Sequence, residues 1–591
     1  MLRPVRSKKV SWAFILLLTL SMVILMMLHF LQWKGGVLEE PLERTSWVNC
    51  LFFCMLDVTL LFAFSMLVFW GRSARALALT FGLSWVVSYT NVVYGRFFNA
   101  YIPLTALTEV RNFTDASLLG SLSTAFRPVD LYYLLALILF AGCCRWLARS
   151  KKIHSPLRSL LAMWAFYGVL MIPAYYNQAT HTPMSAGEIF KRLALPTRAE
   201  RLLYPNFYQF HSGMARSWMA GGISVLFPKQ LTTEERAEIE TVADPALHGT
   251  RLRTAPPQIK NVIFILVESY LSLVSDRKVG EVEVTPFLNR LRHSEGVYYN
   301  GRVTVNITMG ESADGQLIYM TGMLPLRSEI SVSRLLNKTL PGLPGALGFA
   351  PEQARAVIPT GPCMWQQDRL GRTYGFGHLY SKLDFPDKNS SGHVWNLYDE
   401  QIFSLARMQD DKEKSEPFFS LVLTISMHST YVTISPYATD FAFTSGTDEY
   451  PEKFYNYLAC CRYTDACIKD YFDYLKESGL YDKSLIVIVS DHQARDVYMD
   501  MGGQLPTEIP LYIVNGGIRG ASSEGEGIPA WDGPCNQIDV YPTILDIMGA
   551  DSQWRGLGCS LLMDEWKDFT DNKTWTVSEN IIYGDYFATI Q

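Results

Sequence analysis

Three residues that directly follow apolar runs of the chain have side chains that could hold a cation. Glu268 follows the apolar run 261–267, and Asp491 and His492 follow the apolar run 484–490. Two carboxylates with one imidazole suit a hard or borderline cation such as Mn²⁺ or Zn²⁺. A divalent cation held there could polarise a phosphoryl oxygen and lower the pKa of a coordinated hydroxyl. These residues therefore predict metal-assisted group transfer.

Ser312 is the candidate nucleophile for that transfer. It stands in the segment 309–317, MGESADGQL, between two glycines and just before an apolar helical stretch. The amides and dipole of a helix N-terminus would favour a phosphorylated serine at this place. Taken alone, such a serine is more often an ordinary N-cap, and a strand-end acid or histidine more often caps a helix, opens a turn or sits in a core.

The elements that must position these residues are strands. A third apolar run of strand length, 417–425, is followed by His428. Continuous apolar runs are typical of parallel strands buried on both faces. Helical patterns at 285–293 and 454–478 alternate with these runs, which indicates an α/β domain with a mostly parallel sheet covered by helices. Because ligands bind at the carboxyl ends of such strands, we expect the polar side chains to converge.

The first 180 residues concentrate the apolar content of the chain, which is 591 residues long and 49% hydrophobic. A membrane-spanning helix needs about 20 predominantly apolar residues. Five stretches meet or approach this length, and the fourth is the weakest because Asp130 and Arg145 flank a short apolar centre. We predict five transmembrane helices, at residues 10–33, 47–70, 76–95, 128–147 and 159–176.

The loop charges orient these spans. Lysines and arginines cluster before the first span, between the second and third, and between the fourth and fifth, which makes those segments cytoplasmic. Five spans that start inside end outside, so the α/β domain is expected to be extracytoplasmic. Asp57 lies within the second span. A buried intramembrane acid indicates either function or a packed polar contact between helices, and the sequence favours neither.

These patterns divide the chain into three parts. Residues 1–176 form the five-span domain, residues 177–258 a juxtamembrane interfacial segment and linker, and residues 259–591 the α/β domain. The apolar stretch 217–227 is too short for a sixth span. The net charge of −5 provides no basic field for nucleic acid, so no nucleic-acid partner is expected.

Six short motifs follow one another along the chain. They are NVIFILVES at 261–269, TPFLN at 285–289, GESAD at 310–314, SDH at 490–492, QIDVYPTIL at 537–545 and GLGCSL at 556–561. This ordered set resembles one family, the lipoteichoic-acid-synthase-like phosphotransferases of the alkaline phosphatase and sulfatase superfamily. The resemblance covers nearly the whole chain, from the spans through the linker to the α/β domain. The family usually has threonine where this chain has Ser312.

The resemblance implies a multi-pass protein of a bacterial inner (cell) membrane with a sulfatase-like extracytoplasmic domain. It implies that a phosphoglycerol-type head group passes from a phospholipid donor to a hydroxyl of a glycan or glycolipid acceptor, through a covalent phospho-Ser312. One divalent cation is implied, with Mn²⁺ expected and Zn²⁺ or Mg²⁺ as alternatives. By similarity, its ligands are Glu268, Ser312, Asp491 and His492.

The resemblance also implies three substrate contacts, at which the chain departs from the family. His428 and Trp365 match family positions that contact substrate. The arginine expected two residues beyond the tryptophan is Gln367, and Arg369 is the candidate replacement. The family's histidine upstream of the tryptophan has no counterpart, because residues 358–361 read IPTG. The metal chemistry therefore carries over better than the head-group specificity.

Several alternatives remain open at this point. A phosphoethanolamine transferase acting on a glycan or lipid uses the same chemistry, and a phosphodiester hydrolase would release the group to water. A non-catalytic membrane sensor with the same fold is the alternative from another class. A sulfatase is disfavoured because none of the ten cysteines stands in a C-x-[PA]-x-R motif. His492 is the last histidine of the chain, which favours a single-cation site over a two-metal one.

Overall fold

The structure is a computed structural model in which the chain divides into two compact units. The first comprises residues 1–107, 121–227 and 327–329, and the second comprises 108–120, 228–326 and 330–591. The residues whose structure is described below are 8–38, 44–70, 73–98, 100–106, 126–148, 161, 164–165, 206, 209–210, 213–250, 252–336, 338–386, 397–412, 417–429, 431, 440–443, 450–494, 497 and 507–589.

The first unit is helical. Within its described residues, four helices are long and apolar enough to cross a membrane. They match the first four predicted spans, whereas the predicted fifth span, 159–176, lies outside the described residues except at 161, 164 and 165. The four helices are α1 (Lys8–Lys34), α2 (Arg44–Val68), α3 (Ser73–Phe98) and α4 (Leu131–Ala148).

Asp57 has a packing role in this unit. A fifth helix, α5 (Met214–Leu226), is only 13 residues long, which is too short for a span. The carboxylate of Asp57 accepts hydrogen bonds from the backbone amides of Met214 at 2.7 Å and Ala215 at 3.1 Å. The first amides of a helix lack partners within the helix, so Asp57 satisfies two of them. Of the two interpretations of this acid, the polar contact between helices is the one observed.

The second unit is built on an eight-stranded sheet whose spatial order is β12-β4-β9-β8-β1-β7-β5-β6. All neighbours pair in parallel except β9, which runs antiparallel to β8 and to β4. The predicted mostly parallel sheet is confirmed. The strands are β1 (Asn261–Val267), β4 (Val297–Thr304), β5 (Ala354–Val357), β6 (His378–Tyr380), β7 (Phe419–Leu423), β8 (Ser484–Ser490), β9 (Ile509–Val514) and β12 (Cys535–Asn536).

Two small ribbons lie outside this sheet, and helices flank it. The ribbon strands are β2 (Lys278–Val279) with β3 (Val282–Glu283), and β10 (Ile518–Gly520) with β11 (Ile528–Ala530). The α-helices are α6 (Thr233–Val242), α7 (Pro245–His248), α8 (Pro286–Leu291), α9 (Ser312–Thr321), α10 (Val332–Leu335), α11 (Leu343–Ala346), α12 (Gln367–Thr373), α13 (Asp399–Lys412), α14 (Glu452–Glu477), α15 (Val540–Met548) and α16 (Asn572–Gly584).

Strand β1 shows why the central strands are continuously apolar. Its seven residues are all buried. Ile263 and Ile265 belong to one core cluster with residues of α13 and α14. Phe264, which points to the opposite face, contacts the ring of Tyr319 on α9 at 5.5 Å between centroids. Helices therefore cover both faces of the strand, and burial on both faces favours apolar residues at every position.

The stretch 230–258, which reads as linker, contains ordered structure. Helix α6 begins with a capping box, in which the Thr232 hydroxyl accepts from the Glu235 amide and the Glu235 carboxylate accepts from the Thr232 amide. This reciprocal cap fixes the first turn of the helix. Helix α6 then packs against α16, so the C-terminal helix and the segment before β1 are joined in one unit.

Candidate cation site and nucleophile

The register of β1 and β8 brings the predicted ligands together. The two strands are parallel neighbours, and Val267 pairs with Ser490 at their carboxyl ends. Glu268 and Asp491 are the next residues on each strand, so their side chains emerge side by side. Together with His492 they are buried, and one ligand atom from each lies within 4.8 Å of those of the others. A single cation can bridge atoms at this spacing.

Asp491 is fixed in place by backbone amides. Its Oδ1 accepts from the amide of Ser269 at 2.9 Å and from the amide of His492 at 2.7 Å. Its Oδ2 lies 3.5 Å from Nε2 of His492 and remains available to a cation. Ser269 donates its hydroxyl to Oε1 of Glu268 at 2.7 Å. Ser269 is thus tied to both carboxylates, and it adopts a left-handed backbone with φ of 52°.

The tautomer of His492 suits a ligand. Its Nδ1 lies 2.9 Å from the backbone oxygen of Gln493 and donates a proton to it. That contact leaves the lone pair on Nε2, which lies 3.4 Å from Oε1 of Glu268 and 3.2 Å from Oγ of Ser312. Metal-binding histidines commonly donate their second nitrogen to an oxygen in this way.

The cluster of Glu268, Asp491 and His492 buries two carboxylates, which are stabilised by a nearby positive charge. Burial and the neighbouring Glu268 carboxylate raise the pKa of Asp491 well above its ordinary value. Burial would lower the pKa of His492, but the carboxylates of Asp491 and Glu268 outweigh it and raise that pKa. Two buried carboxylates repel each other unless a cation compensates them. The donor set and its charge therefore fit a divalent cation.

Ser312 lies directly beside these three groups. It is the first residue of α9, and its Oγ donates to Oε2 of Glu268 at 3.3 Å and contacts the Asp491 carboxylate. The preceding residue, Glu311, has φ of 44° and ψ of −114°. Non-glycine residues adopt such conformations at a cost of about 1–3 kcal/mol, and they cluster at active sites. The strained turn presents the Ser312 hydroxyl to the cluster.

Helix α9 is held against the end of β8 by a close backbone contact. A side chain at Gly315 would place its Cβ 2.5 Å from the carbonyl oxygen of Asp491. Only glycine permits this approach, which sets the distance between the nucleophile helix and the ligand strand. The same carbonyl accepts from Nε2 of Gln537 at 2.7 Å, and Tyr319 of α9 donates its hydroxyl to the oxygen of Ser490 at 2.8 Å.

The loop before the nucleophile is fixed by Asp314. Its Oδ2 accepts from the amide and the hydroxyl of Thr308 and from the amide of Gly310, at 2.8–3.0 Å. The carboxyl is fully buried, and burial raises its pKa to about 6. These bonds join the loop to the first turn of α9, so the strained turn at Glu311 is anchored on both sides.

The three predicted substrate contacts occupy different places. His428 follows β7 with its ring exposed, and its Nδ1 donates to the oxygen of Ser429 at 2.9 Å. Desolvation lowers the pKa of His428, but the charges of Glu268 and Glu311 and the hydrogen bond to Ser429 together raise it. Trp365 is half-buried with φ of 49°. Arg369 donates to Gln366 at 3.2 Å and lines a cavity of about 340 Å³.

The segment that carries Trp365 and Arg369 reaches the nucleophile helix through Gln367. Nε2 of Gln367 donates to Oε1 of Gln316 at 2.7 Å, and Gln316 lies one turn beyond Ser312. The position where the resemblance expects a cationic arginine thus holds a neutral amide that is paired with another amide. Arg369 stands two residues further along α12, beside Lys338, Asp368, Arg372 and Thr373 in the cavity wall.

Sequence reasoning missed several residues that shape the site. Ser269 and Gln537 stand within the matching segments, and Gln316 lies close to Ser312, but their roles depend on contacts with residues far away in the chain. Thr424 belongs to this group, because its hydroxyl accepts from the Glu268 amide at 3.0 Å. Gly315 carries a usable signal, since a glycine inside a helical pattern often marks a close approach of backbone.

Two family models match the chain in separate stretches. The one described as "Lipoteichoic acid synthase N-terminal domain" matches residues 2–194, and the one described as "Sulfatase" matches residues 260–550. The second match contains Glu268, Ser312, Asp491 and His492. The order of the two matches, helical region first and α/β domain second, is the order predicted from the sequence.

Relatives and a solved structure agree with these matches. The chain is 23% identical over 488 residues to lipoteichoic acid synthase 2 of Bacillus subtilis (strain 168), covering 79% of this chain and 70% of the relative. It is 24% identical over 517 residues to the lipoteichoic acid synthase of Staphylococcus aureus (strain USA300), covering 82% and 73%. The integral membrane protein lipooligosaccharide phosphoethanolamine transferase A from Neisseria meningitidis has the same fold, with a TM-score of 0.52, 13% identity and coverage of 94% and 99%.

Proposed function

Because the chain is a lipoteichoic-acid-synthase-like phosphotransferase of the alkaline phosphatase and sulfatase superfamily, we propose that it transfers a phosphoglycerol-type head group from a phospholipid to an acceptor hydroxyl. The observation that carries this proposal is the position of Ser312. Its Oγ lies 3.3 Å from Glu268 Oε2 and 3.2 Å from His492 Nε2, at the start of a helix.

Glu268, Asp491, His492 and Ser312 are the proposed ligands of one divalent cation. Mn²⁺ is the ion that we infer, since the donors are two carboxylates, a hydroxyl and one imidazole; Zn²⁺ and Mg²⁺ accept overlapping donor sets. When bound, the cation supplies positive charge that favours the ionised Ser312 hydroxyl and polarises a phosphoryl oxygen.

The residues of the chain orient two successive displacements. In the first, Ser312 Oγ forms a bond to the donor phosphorus, the bond to the diacylglycerol oxygen breaks, and that oxygen takes up a proton. In the second, the acceptor hydroxyl attacks the phospho-Ser312 ester, loses its proton and releases the serine. The amides at the start of α9 favour the negative charge of the ester. His428, exposed beside the cluster, is the proposed contact to the substrate phosphate or head group.

Trp365 and Arg369 are the proposed head-group contacts, and the proposed acceptor is a hydroxyl of a glycan or glycolipid. The four apolar helices and the synthase relatives indicate a protein of the cell membrane. From the loop charges and the predicted fifth span we infer that the catalytic domain lies outside the cytoplasm. The proposed donor is then a phospholipid of the outer leaflet.

Phosphoethanolamine transfer is the second candidate, and Gln367 favours it. A neutral amide paired with Gln316 stands where the family has an arginine. Without that guanidinium, the head-group site repels a cationic ammonium less. Arg369, as the proposed cationic contact to the head group, works against this candidate.

The experiment is intact-mass analysis of the purified chain after incubation with Mn²⁺ and a single phospholipid. With phosphatidylglycerol we expect an added mass of phosphoglycerol that maps to Ser312 by peptide analysis. An adduct formed only with phosphatidylethanolamine would replace the first candidate by the second. The Ser312→Ala variant is the control and should carry no adduct. An adduct on another residue would overturn the assignment of the nucleophile, and release of the group to water without an acceptor would indicate a hydrolase.

A further inference from the structure

A second cluster of metal-ligating side chains lies in the helical unit. His29 on α1 and Cys50 and Cys54 on α2 each have 0% of their surface exposed. One ligand atom from each lies within 4.8 Å of those of the other two. Cys50 and Cys54 are four residues apart on one helix, so both thiols point from the same face. All three groups belong to the first compact unit.

The imidazole of His29 supplies a second, independent observation that points to a metal. Its Nδ1 lies 2.9 Å from the hydroxyl of Tyr101. Its Nε2 is fully buried and makes no hydrogen bond of normal geometry to any residue that the structure describes. A buried nitrogen without a hydrogen-bond partner destabilises the fold. The adjacent thiol of Cys54 is only a weak donor, so it compensates this cost poorly.

The groups around His29, Cys50 and Cys54 resemble those found around metal ions in proteins. Metal-binding histidines commonly give their second nitrogen to an oxygen, as Nδ1 does here with Tyr101. The ring of Phe210 packs edge-on against His29 at 5.5 Å between centroids, which closes that side with apolar surface. Met26 adds a further soft donor, since its Sδ lies 3.9 Å from Sγ of Cys50. The donors are thus one imidazole, two thiols and one thioether.

We propose that His29, Cys50 and Cys54, with Met26 beside them, form a binding site for a thiophilic metal ion, Cu⁺ or Zn²⁺, separate from the cation site of the transferase. Soft sulfur ligands select these two ions over Mn²⁺ and Mg²⁺. The thioether favours Cu⁺. The charge balance favours Zn²⁺, because two thiolates with a neutral imidazole make a neutral complex that is inexpensive to bury. Binding by the two thiols releases their protons to solvent.

The test uses the purified full chain in detergent, and it compares proteins that all keep the transferase site intact. Either Cu⁺ or Zn²⁺ is added with a chromophoric competitor, and the metal retained per chain is measured. Wild type should retain one more thiophilic ion per chain than the Cys50→Ser/Cys54→Ser variant, because any Zn²⁺ held at the transferase site is the same in both. The matched control is Cys143→Ser/Cys144→Ser, which removes two thiols from α4 and should retain the ion. Equal retention by all three proteins would overturn the proposal.

A second measurement needs no variant and therefore does not depend on how the serine protein folds. X-ray absorption at the edge of the retained ion reports its ligands in wild type. Sulfur scatterers at about 2.3 Å support the proposal. A shell of nitrogen and oxygen alone would place the ion elsewhere and overturn it. Comparing the Cu⁺ and Zn²⁺ arms identifies the ion, and neither arm depends on transferase activity or on the identity of the donor lipid.

Discussion

Gly315 offers the sharpest perturbation of the catalytic geometry, because it touches no substrate. In the Gly315→Ala variant the new Cβ would lie 2.5 Å from the carbonyl oxygen of Asp491, whereas ordinary contact begins near 3.4 Å. The atom in the way is backbone and cannot rotate aside, so α9 must move away from β8 by about 0.9 Å. Ser312 lies one turn from this contact and should move with the helix.

A displacement of this size should lower the rate of the chemical step. Misplacing a reacting group by about 1 Å costs up to about 100-fold in rate, so we expect kcat to fall by about 10- to 100-fold. Overpacking should also destabilise the fold by about 1–3 kcal/mol. The assay measures kcat for release of diacylglycerol from phosphatidylglycerol, together with the melting temperature of the purified chain.

The matched control is Gly345→Ala on helix α11. A Cβ at Gly345 would meet nothing within 4 Å, so this variant should keep full activity and gain up to about 1 kcal/mol of stability from helix propensity. If Gly315→Ala folds with the kcat of wild type, the nucleophile helix is not positioned by its contact with Asp491. The geometric account of Ser312 would then be refuted.

Three further predictions address the nucleophile, a buried acid and a buried ion pair. Ser312→Ala should lose transfer by at least about 1000-fold with little change in melting temperature, whereas Ser312→Thr, which keeps a hydroxyl, should retain part of the activity. Transfer retained by Ser312→Ala would contradict the role of Ser312 as nucleophile. Burial raises the pKa of Asp539 to about 7, so the folded protein keeps this carboxyl protonated at pH values where the unfolded chain loses the proton. The protonated carboxyl therefore stabilises the fold at low pH, and this contribution is lost as pH rises from about 4 to 7. The stability of wild type relative to Asp539→Asn should therefore fall by up to about 4 kcal/mol over that range, and a pH-independent difference in denaturation curves would contradict it. Arg355 and Asp410 form a buried ion pair with 2.5 Å between nitrogen and oxygen. Arg355→Met should lower the free energy of unfolding by about 3–5 kcal/mol, because it leaves the Asp410 carboxylate buried without its partner, whereas Arg355→Met/Asp410→Leu should lower it much less. Equal losses for the two variants in chemical denaturation would contradict this expectation.

The central strands of the catalytic domain could be predicted because every residue in them is buried. The runs 261–267 and 484–490 become β1 and β8 with the bounds read from the sequence. Helices cover both faces of these strands, so all positions are apolar and the ends are marked by the first polar residue. The convergence of Glu268 and Asp491 then follows from parallel pairing in register.

The supporting contacts could not be predicted, because their partners are distant backbone atoms. Gln537 donates to the carbonyl of Asp491, which lies 46 positions earlier in the chain. No periodic pattern encodes such a bond; it depends on the packing of whole elements. The cluster of His29, Cys50 and Cys54 was missed for a related reason. Two helices must be rotated to face each other before the imidazole meets the thiols, and sequence spacing fixes only the thiols on α2.

The proposed activity depends on one cation that is bound beside Ser312 by residues at the ends of two neighbouring strands. The most direct measurement is anomalous diffraction at the manganese edge from crystals of the chain soaked in Mn²⁺. We predict one peak at about 2.0–2.4 Å from oxygens of Glu268, Asp491 and Ser312 and from Nε2 of His492. A peak that excludes Ser312, or Mn²⁺ bound only elsewhere, would contradict the proposed activation of the nucleophile.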